Sequence, residues 1–121
     1  MQDEELDPRT WSGLEYLESI SGPGAIAEMV DGYVRDVPDR LVRMKTALES
    51  GETQALNRLA HDLKSNSATI GALRLSAVAA QIELGASEAP AEDLASLILE
   101  VESMLPQVFA ALEEKAKQYP A

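Results

Sequence analysis

One histidine, His61, lies in the stretch Ala60-His61-Asp62-Leu63-Lys64-Ser65-Asn66-Ser67-Ala68-Thr69-Ile70-Gly71-Ala72, and it is the only histidine among 121 residues. Imidazole suits phosphoryl transfer at neutral pH because its uncharged, nucleophilic form is well populated there. Such chemistry needs an exposed lone pair on one ring nitrogen, a proton kept on the other, and positive charge close by once the phosphate has arrived. Stepping about 100° per residue from Leu59 puts Leu56, Leu63, Ser67 and Ile70 between roughly 20° and 80°, and Ala60 at about 100°. These residues form the stripe to be buried. His61 falls at about 200°, on the solvent side, in the company of Gln54, Asn57, Lys64, Ser65 and Ala68. None of these neighbours is acidic, although the chain carries 21 Asp and Glu. Lys64, one turn along the same face, is placed to reach a phosphoryl group on His61 and partly neutralise it. Ser65 and Ala68 are small and leave room for another protein to bring its own catalytic groups to the ring. Gln54 and Asn57 are further candidates to touch that partner.

A helix must present these residues, and helical signals run through the whole chain. Asp7-Pro8 predicts a helix start, with Asp7 as cap and Pro8 in the first position. A short helix with Trp11, Leu14 and Leu17 follows, with Trp11 read as a packing residue, and it ends by Ser21-Gly22. Pro23 is expected to open a second helix, whose apolar positions Ile26, Val30, Tyr33, Val37, Leu41, Met44 and Leu48 step by three or four. Pro38 lies inside it and is expected to kink it; Ser50-Gly51 ends it. The third helix, which carries His61, spans about residues 52–69, and Gly71 bends the chain. A fourth, about residues 72–84, is rich in alanine (Ala77, Ala79, Ala80), which lets its neighbours approach closely, and Gly85 is expected to close it. Pro90 opens the last helix, with Glu92 and Asp93 in its first turn. Its apolar positions are Leu94, Leu97, Ile98, Val101, Met104, Leu105, Val108, Phe109 and Leu112, with Pro106 to be bent around or accommodated. No segment alternates with period two. The fold predicted is all-α, an antiparallel four-helix bundle with a short additional N-terminal helix. The bundle covers residues 7–117; residues 1–6 are expected to be frayed, the chain to loosen from Lys115, and residues 118–121 to form a loose tail.

Composition narrows the chemistry. At 13.0 kDa the chain fits one domain, and aromatics are only 4%, which favours close helix packing. A net charge of −11 argues against nucleic acid or an anionic membrane surface as partner. No uninterrupted apolar run approaches the roughly 20 residues that span a bilayer, and the acidic first residues do not resemble a signal peptide. The charge is uneven: from Lys45 to Ile82 the basic residues Lys45, Arg58, Lys64 and Arg74 balance the acidic Glu49, Glu52 and Asp62. One histidine and no cysteine cannot build a usual zinc site, and no Gly-rich turn plus lysine offers a nucleotide loop. The phosphoryl group must therefore come from an outside donor and leave to an outside acceptor.

The sequence His61-x-Leu63-Lys64-Ser65, followed by Ile70-Gly71 and the Leu75–Ile82 run, resembles the histidine-containing phosphotransfer (HPt) domain of bacterial and fungal multistep phosphorelays. The motif covers about residues 60–83, and the helical layout extends the likeness over nearly the whole chain, including Tyr33–Leu48. The resemblance implies that His61 takes a phosphoryl group on its outer ring nitrogen from one receiver-domain aspartate and gives it to another. It makes Lys64 the motif lysine. Ser65 stands where the family usually has glycine, a departure that adds a small side chain beside the ring and alters docking without blocking it. Glu83 matches a position on the next helix where family members often carry Gln or Glu aimed at the inner ring nitrogen; a carboxylate there favours the proton on that nitrogen and makes the outer one more nucleophilic. Receivers in this family dock on an apolar patch formed with the early helices, for which Met29 is the candidate here. The implied partners are receiver domains of response regulators or of a hybrid sensor histidine kinase. No cofactor is implied on this chain, and Mg2+ belongs to the receiver alone. The implied protein is a cytoplasmic, monomeric carrier without autokinase activity. Two other readings stay open: a helical adaptor or inhibitor that docks on a receiver or kinase without carrying phosphate, and the phosphotransfer region of a larger sensor kinase.

Overall fold

The computed structural model describes residues 5–120 and contains α1 (Pro8–Ser21), α2 (Ala25–Glu49), α3 (Thr53–Thr69), α4 (Leu73–Gly85) and α5 (Ala91–Gln118). Connections of three to five residues force α2 to α5 to run antiparallel to their sequence neighbours. Helix α2 packs on α3 and α5, and α4 packs on the same two, so the four close into a bundle with α1 against one end of it. Of the apolar positions predicted from spacing, Ile26, Val30, Tyr33, Val37, Leu41 and Met44 on α2, Leu56, Ala60 and Leu63 on α3, and Leu94, Ile98, Val101, Leu105, Val108 and Leu112 on α5 are buried, whereas Leu48, Leu97, Met104 and Phe109 are half-buried against that core; α4 adds Leu75, Val78, Ala79 and Ile82. Each large aliphatic side chain buried in this way contributes about 1.5–3 kcal/mol. Tyr33 meets Phe109 edge to face, with ring centroids 6.2 Å apart. Helix α5 is the one helix among the described residues long and apolar enough to cross a membrane. Its buried stripe packs into the bundle core, and Glu102 on it pairs with Lys45 of α2 at 2.5 Å.

Several boundaries differ from those expected. Helix α2 begins at Ala25, not Pro23, because Gly24 takes the cap position at φ 107° and the Glu18 carboxylate of α1 accepts from the Ile26 N–H at 2.8 Å. Neither Pro38 nor Pro106 ends its helix. Both prolines are exposed, so the carbonyl each leaves unpaired one turn earlier faces the wetted side. Gly85 is the last residue of α4 and has no positive φ; Ala86 is the cap. What Gly85 supplies is space, since a Cβ there would lie 3.0 Å from the Ala89 Cβ. Helix α5 stays intact through Gln118, beyond the loosening expected from Lys115. Lys115 Nζ sits 5.5 Å from the centre of the Trp11 ring and 3.7 Å from Glu15, and Tyr119 packs against the core. The expected frayed start and loose end fall for residues 1–4 and 121 outside the described residues, and Leu6 is buried.

The turn between α3 and α4 anchors α1. Asp7 caps α1 by accepting from the Thr10 N–H at 3.0 Å and its hydroxyl at 2.8 Å, bonds that hold the Asp7 carboxyl below its ordinary range. The Asp7 N–H donates to the Gly71 carbonyl at 2.8 Å, and the buried Trp11 Nε1–H donates to the Ile70 carbonyl at 2.8 Å. Gly71 is at φ 82°, and a Cβ there would lie 3.1 Å from the Asp7 nitrogen and 3.2 Å from Trp11 Cδ1. Both backbone sign and close approach therefore demand glycine. Gly71→Ala is expected to lower stability by about 1–3 kcal/mol, read from urea denaturation; a variant as stable as wild type would show that the turn relaxes freely.

Candidate functional site

Helix α3 turns its stripe inward and is pinned on both sides. Ser67, fully buried within that stripe, shares a 2.7 Å hydrogen bond with the Tyr33 hydroxyl of α2, so a polar group among apolar ones is satisfied. Burial pushes the Tyr33 phenol up to about 12, keeping it neutral. Arg40 of α2 pairs with Asp62 at 3.4 Å on the same side. On the other side Ser76 of α4 donates to the Lys64 carbonyl at 2.9 Å. The small residues Ser76, Ala79 and Ala80 along α4 let the two backbones come this close.

His61 projects outward from α3 with 54% of its side chain exposed, as the helical projection expects. Its inner ring nitrogen, Nδ1, lies 2.8 Å from Oε2 of Glu83 on α4. The other carboxylate oxygen, Oε1, lies 2.8 Å from Lys64 Nζ. The Lys64 ammonium first, and then the His61 ring N–H, hold the Glu83 carboxyl below its ordinary range, against a smaller opposing effect of burial. An ionised carboxylate can only accept. The 2.8 Å contact therefore assigns the proton to Nδ1 and leaves the lone pair on Nε2, the nitrogen away from Glu83. The arrangement gives an oriented imidazole, protonated at Nδ1, with its lone pair on Nε2.

The other expected site residues divide into three groups. Ser65, Ala68 and Gln54 are exposed on α3 around the ring. Asn57 is exposed as well, yet its amide donates to the Glu83 carbonyl at 3.0 Å, so it is engaged within the molecule. Met29 is half-buried on α2 and lines a cavity of about 230 Å³ with Tyr33, Asn66, Thr69 and Ile70, beyond His61 toward the Gly71 end. Lys64, expected to face incoming phosphate, is bonded to Glu83. Sequence reasoning missed the Tyr33–Ser67 and Arg40–Asp62 links. A serine inside a buried stripe was the available signal for the first, because a buried hydroxyl needs a partner.

Residues 28–111 match the family model of the Hpt domain. No curated protein matches the chain. Among solved structures the fold is similar to histidine-containing phosphotransfer protein B (HptB) from Pseudomonas aeruginosa PAO1, with a TM-score of 0.84 and 25% identity, covering 98% of this chain and 100% of that one. It is also similar to the HPT domain of a sensor hybrid histidine kinase from Shewanella, with a TM-score of 0.65 and 25% identity, covering 78% and 81% of the two chains. With the exposed histidine of α3 and its carboxylate partner on α4 in place, the chain belongs to the Hpt domain family, the histidine phosphotransfer proteins of phosphorelays.

Proposed function

We propose that His61 is the phosphoryl carrier of this protein, loaded by a receiver-domain aspartyl phosphate and unloaded onto a second receiver aspartate. The observation that carries the reading is the 2.8 Å contact between Nδ1 and Glu83, which leaves Nε2 as the nucleophile. In loading, the Nε2 lone pair attacks phosphorus, an N–P bond forms, and the P–O bond to the receiver carboxylate breaks. Glu83 keeps the Nδ1 proton in place and offsets the positive charge that develops on the ring. Lys64 has two tasks in this reading: its ammonium holds Glu83 ionised before transfer, and it lies on the face where the phosphoryl oxygens arrive. Receiver domains are the partners, and Mg2+ serves on the receiver. The chain is read as a carrier without autokinase activity, acting as a monomer in the cytoplasm. Ser65, Ala68, Gln54 and Met29 are candidates for the receiver's footprint.

Intact-mass measurement after incubation with phosphoramidate tests the carrier role. Wild type is expected to gain one acid-labile phosphoryl group and His61→Gln none, with helicity and melting nearly unchanged because the side chain is exposed. A folded wild type that takes no phosphoryl group from phosphoramidate or from a phosphorylated receiver would leave the docking-only adaptor as the better reading. Lys64→Ala is expected to slow loading roughly five-fold, the effect of losing about 1 kcal/mol of hydrogen bonding; an unaltered rate removes Lys64 from the mechanism.

Acidity separates the part played by Glu83. Its folded pKa lies below the ordinary 4.5, so its stabilising effect is complete above that pH and is lost as pH falls through the lower, folded value. The difference in melting temperature between wild type and Glu83→Gln should therefore narrow as pH falls below 4.5. A difference that does not narrow in acid would mean that Glu83 is not held ionised by its neighbours.

A further inference from the structure

Glu83 is held by α3 at three points. Asn57, His61 and Lys64 stand at i, i+4 and i+7, along one edge of the helix. His61 Nδ1 takes Oε2 at 2.8 Å, Lys64 Nζ takes Oε1 at 2.8 Å, and Asn57 Nδ2 donates to the main-chain carbonyl at 3.0 Å. That carbonyl belongs to the last turn of α4, which ends at Gly85. Carbonyls in the last turn of a helix lack the partner the next turn would provide, and here the Ala86 N–H reaches it at 3.5 Å. The carboxylate on which the ring tautomer depends is thus carried by the part of α4 most prone to fray. Just beyond it Leu84 is 81% exposed, so apolar packing does not hold this turn on that side.

We infer that Asn57 is a positioning residue for phosphotransfer: by fixing the Glu83 carbonyl, it keeps the carboxylate aligned with Nδ1 of His61. The inference rests on the reading of His61 as the phosphoryl acceptor and assigns Asn57 a task inside the molecule in place of contact with a receiver. A side-chain amide suits the position because it donates without adding charge beside the ring. Aspartate at the same site would keep the shape but could not donate, and would set a negative charge against the carbonyl. Two of the three contacts orient the carboxylate, and the third orients the backbone that bears it.

The test uses the full chain as Asn57→Ala and Asn57→Asp, the second keeping the native shape. The ring 15N signals of His61 and the loading rate with phosphoramidate are the two readouts; this donor is too small to sense a docking surface. Wild type is expected to show a ring protonated at Nδ1. Both variants are expected to show ring signals averaged over the two tautomers and loading slowed on the order of ten-fold, the scale on which groups that orient an active histidine act, with little change in melting temperature. Wild-type ring signals and rates in both variants would overturn the inference. So would a loss confined to transfer from a phosphorylated receiver, because Asn57 would then act by touching the partner. Should wild type accept phosphate from no donor, the carrier role fails, while the ring signals still decide whether Asn57 aligns Glu83.

Discussion

A carboxylate that stays ionised accepts hydrogen bonds and never donates them, and the chemistry of this site follows from holding one such group against α3. Glu83 meets a cation with one oxygen and the imidazole with the other. The lysine keeps the carboxyl from taking up a proton; the carboxyl in turn keeps a proton on Nδ1; the lone pair is then left on Nε2. Reversing any of these three conditions leaves a histidine that is still exposed but no longer oriented. The close approach of α3 and α4, made possible by alanine and serine along α4 and by the glycine turn at residue 71, brings the three groups within bonding distance.

The site and the core use opposite faces of the same helix. Leu56, Ala60, Leu63 and Ser67 are sealed inside, while His61, Ser65 and Ala68 stand in solvent. Stability and chemistry are therefore separable by position: truncation of the inner stripe opens a cavity, whereas changes on the outer strip alter the contacts to Glu83 and the surface a partner meets. The near-neutral balance of residues 45–82 within a chain of net charge −11 works in the same direction, since the acidic surfaces that would repel a phosphoryl group belong mainly to other segments.

Much of this was legible in the sequence because helical period is a local property. Spacing alone separated the buried stripe of α3 from His61, and it found the buried positions of α2 and α5 together with half-buried ones at Leu48, Leu97, Met104 and Phe109. Links across helices were less legible, since they depend on how deeply two helices approach. Asn57 looked like a surface amide because its acceptor lies 26 residues away. Lys64 looked free for phosphate because the projection of one helix cannot show what a second helix sets beside it. Glu83 was found through family likeness, not through spacing. The start of α2 was misplaced because a glutamate from α1 holds its first turn, and the end of α5 because its anchors, Glu15 and Trp11, come from the opposite end of the chain.

Trp11 has a further consequence. It is the single tryptophan of the chain, it is 1% exposed, and it touches three elements at once: its own helix, the α3–α4 turn through the Ile70 carbonyl, and the end of α5 through Lys115. Indole emission depends on polarity and on nearby charge, so the protein carries its own optical gauge of whether the N-terminal helix is seated. Far-ultraviolet dichroism reports α1 to α5 together. Comparing the two signals during unfolding distinguishes an end cap that lifts before the bundle melts from one that leaves with it.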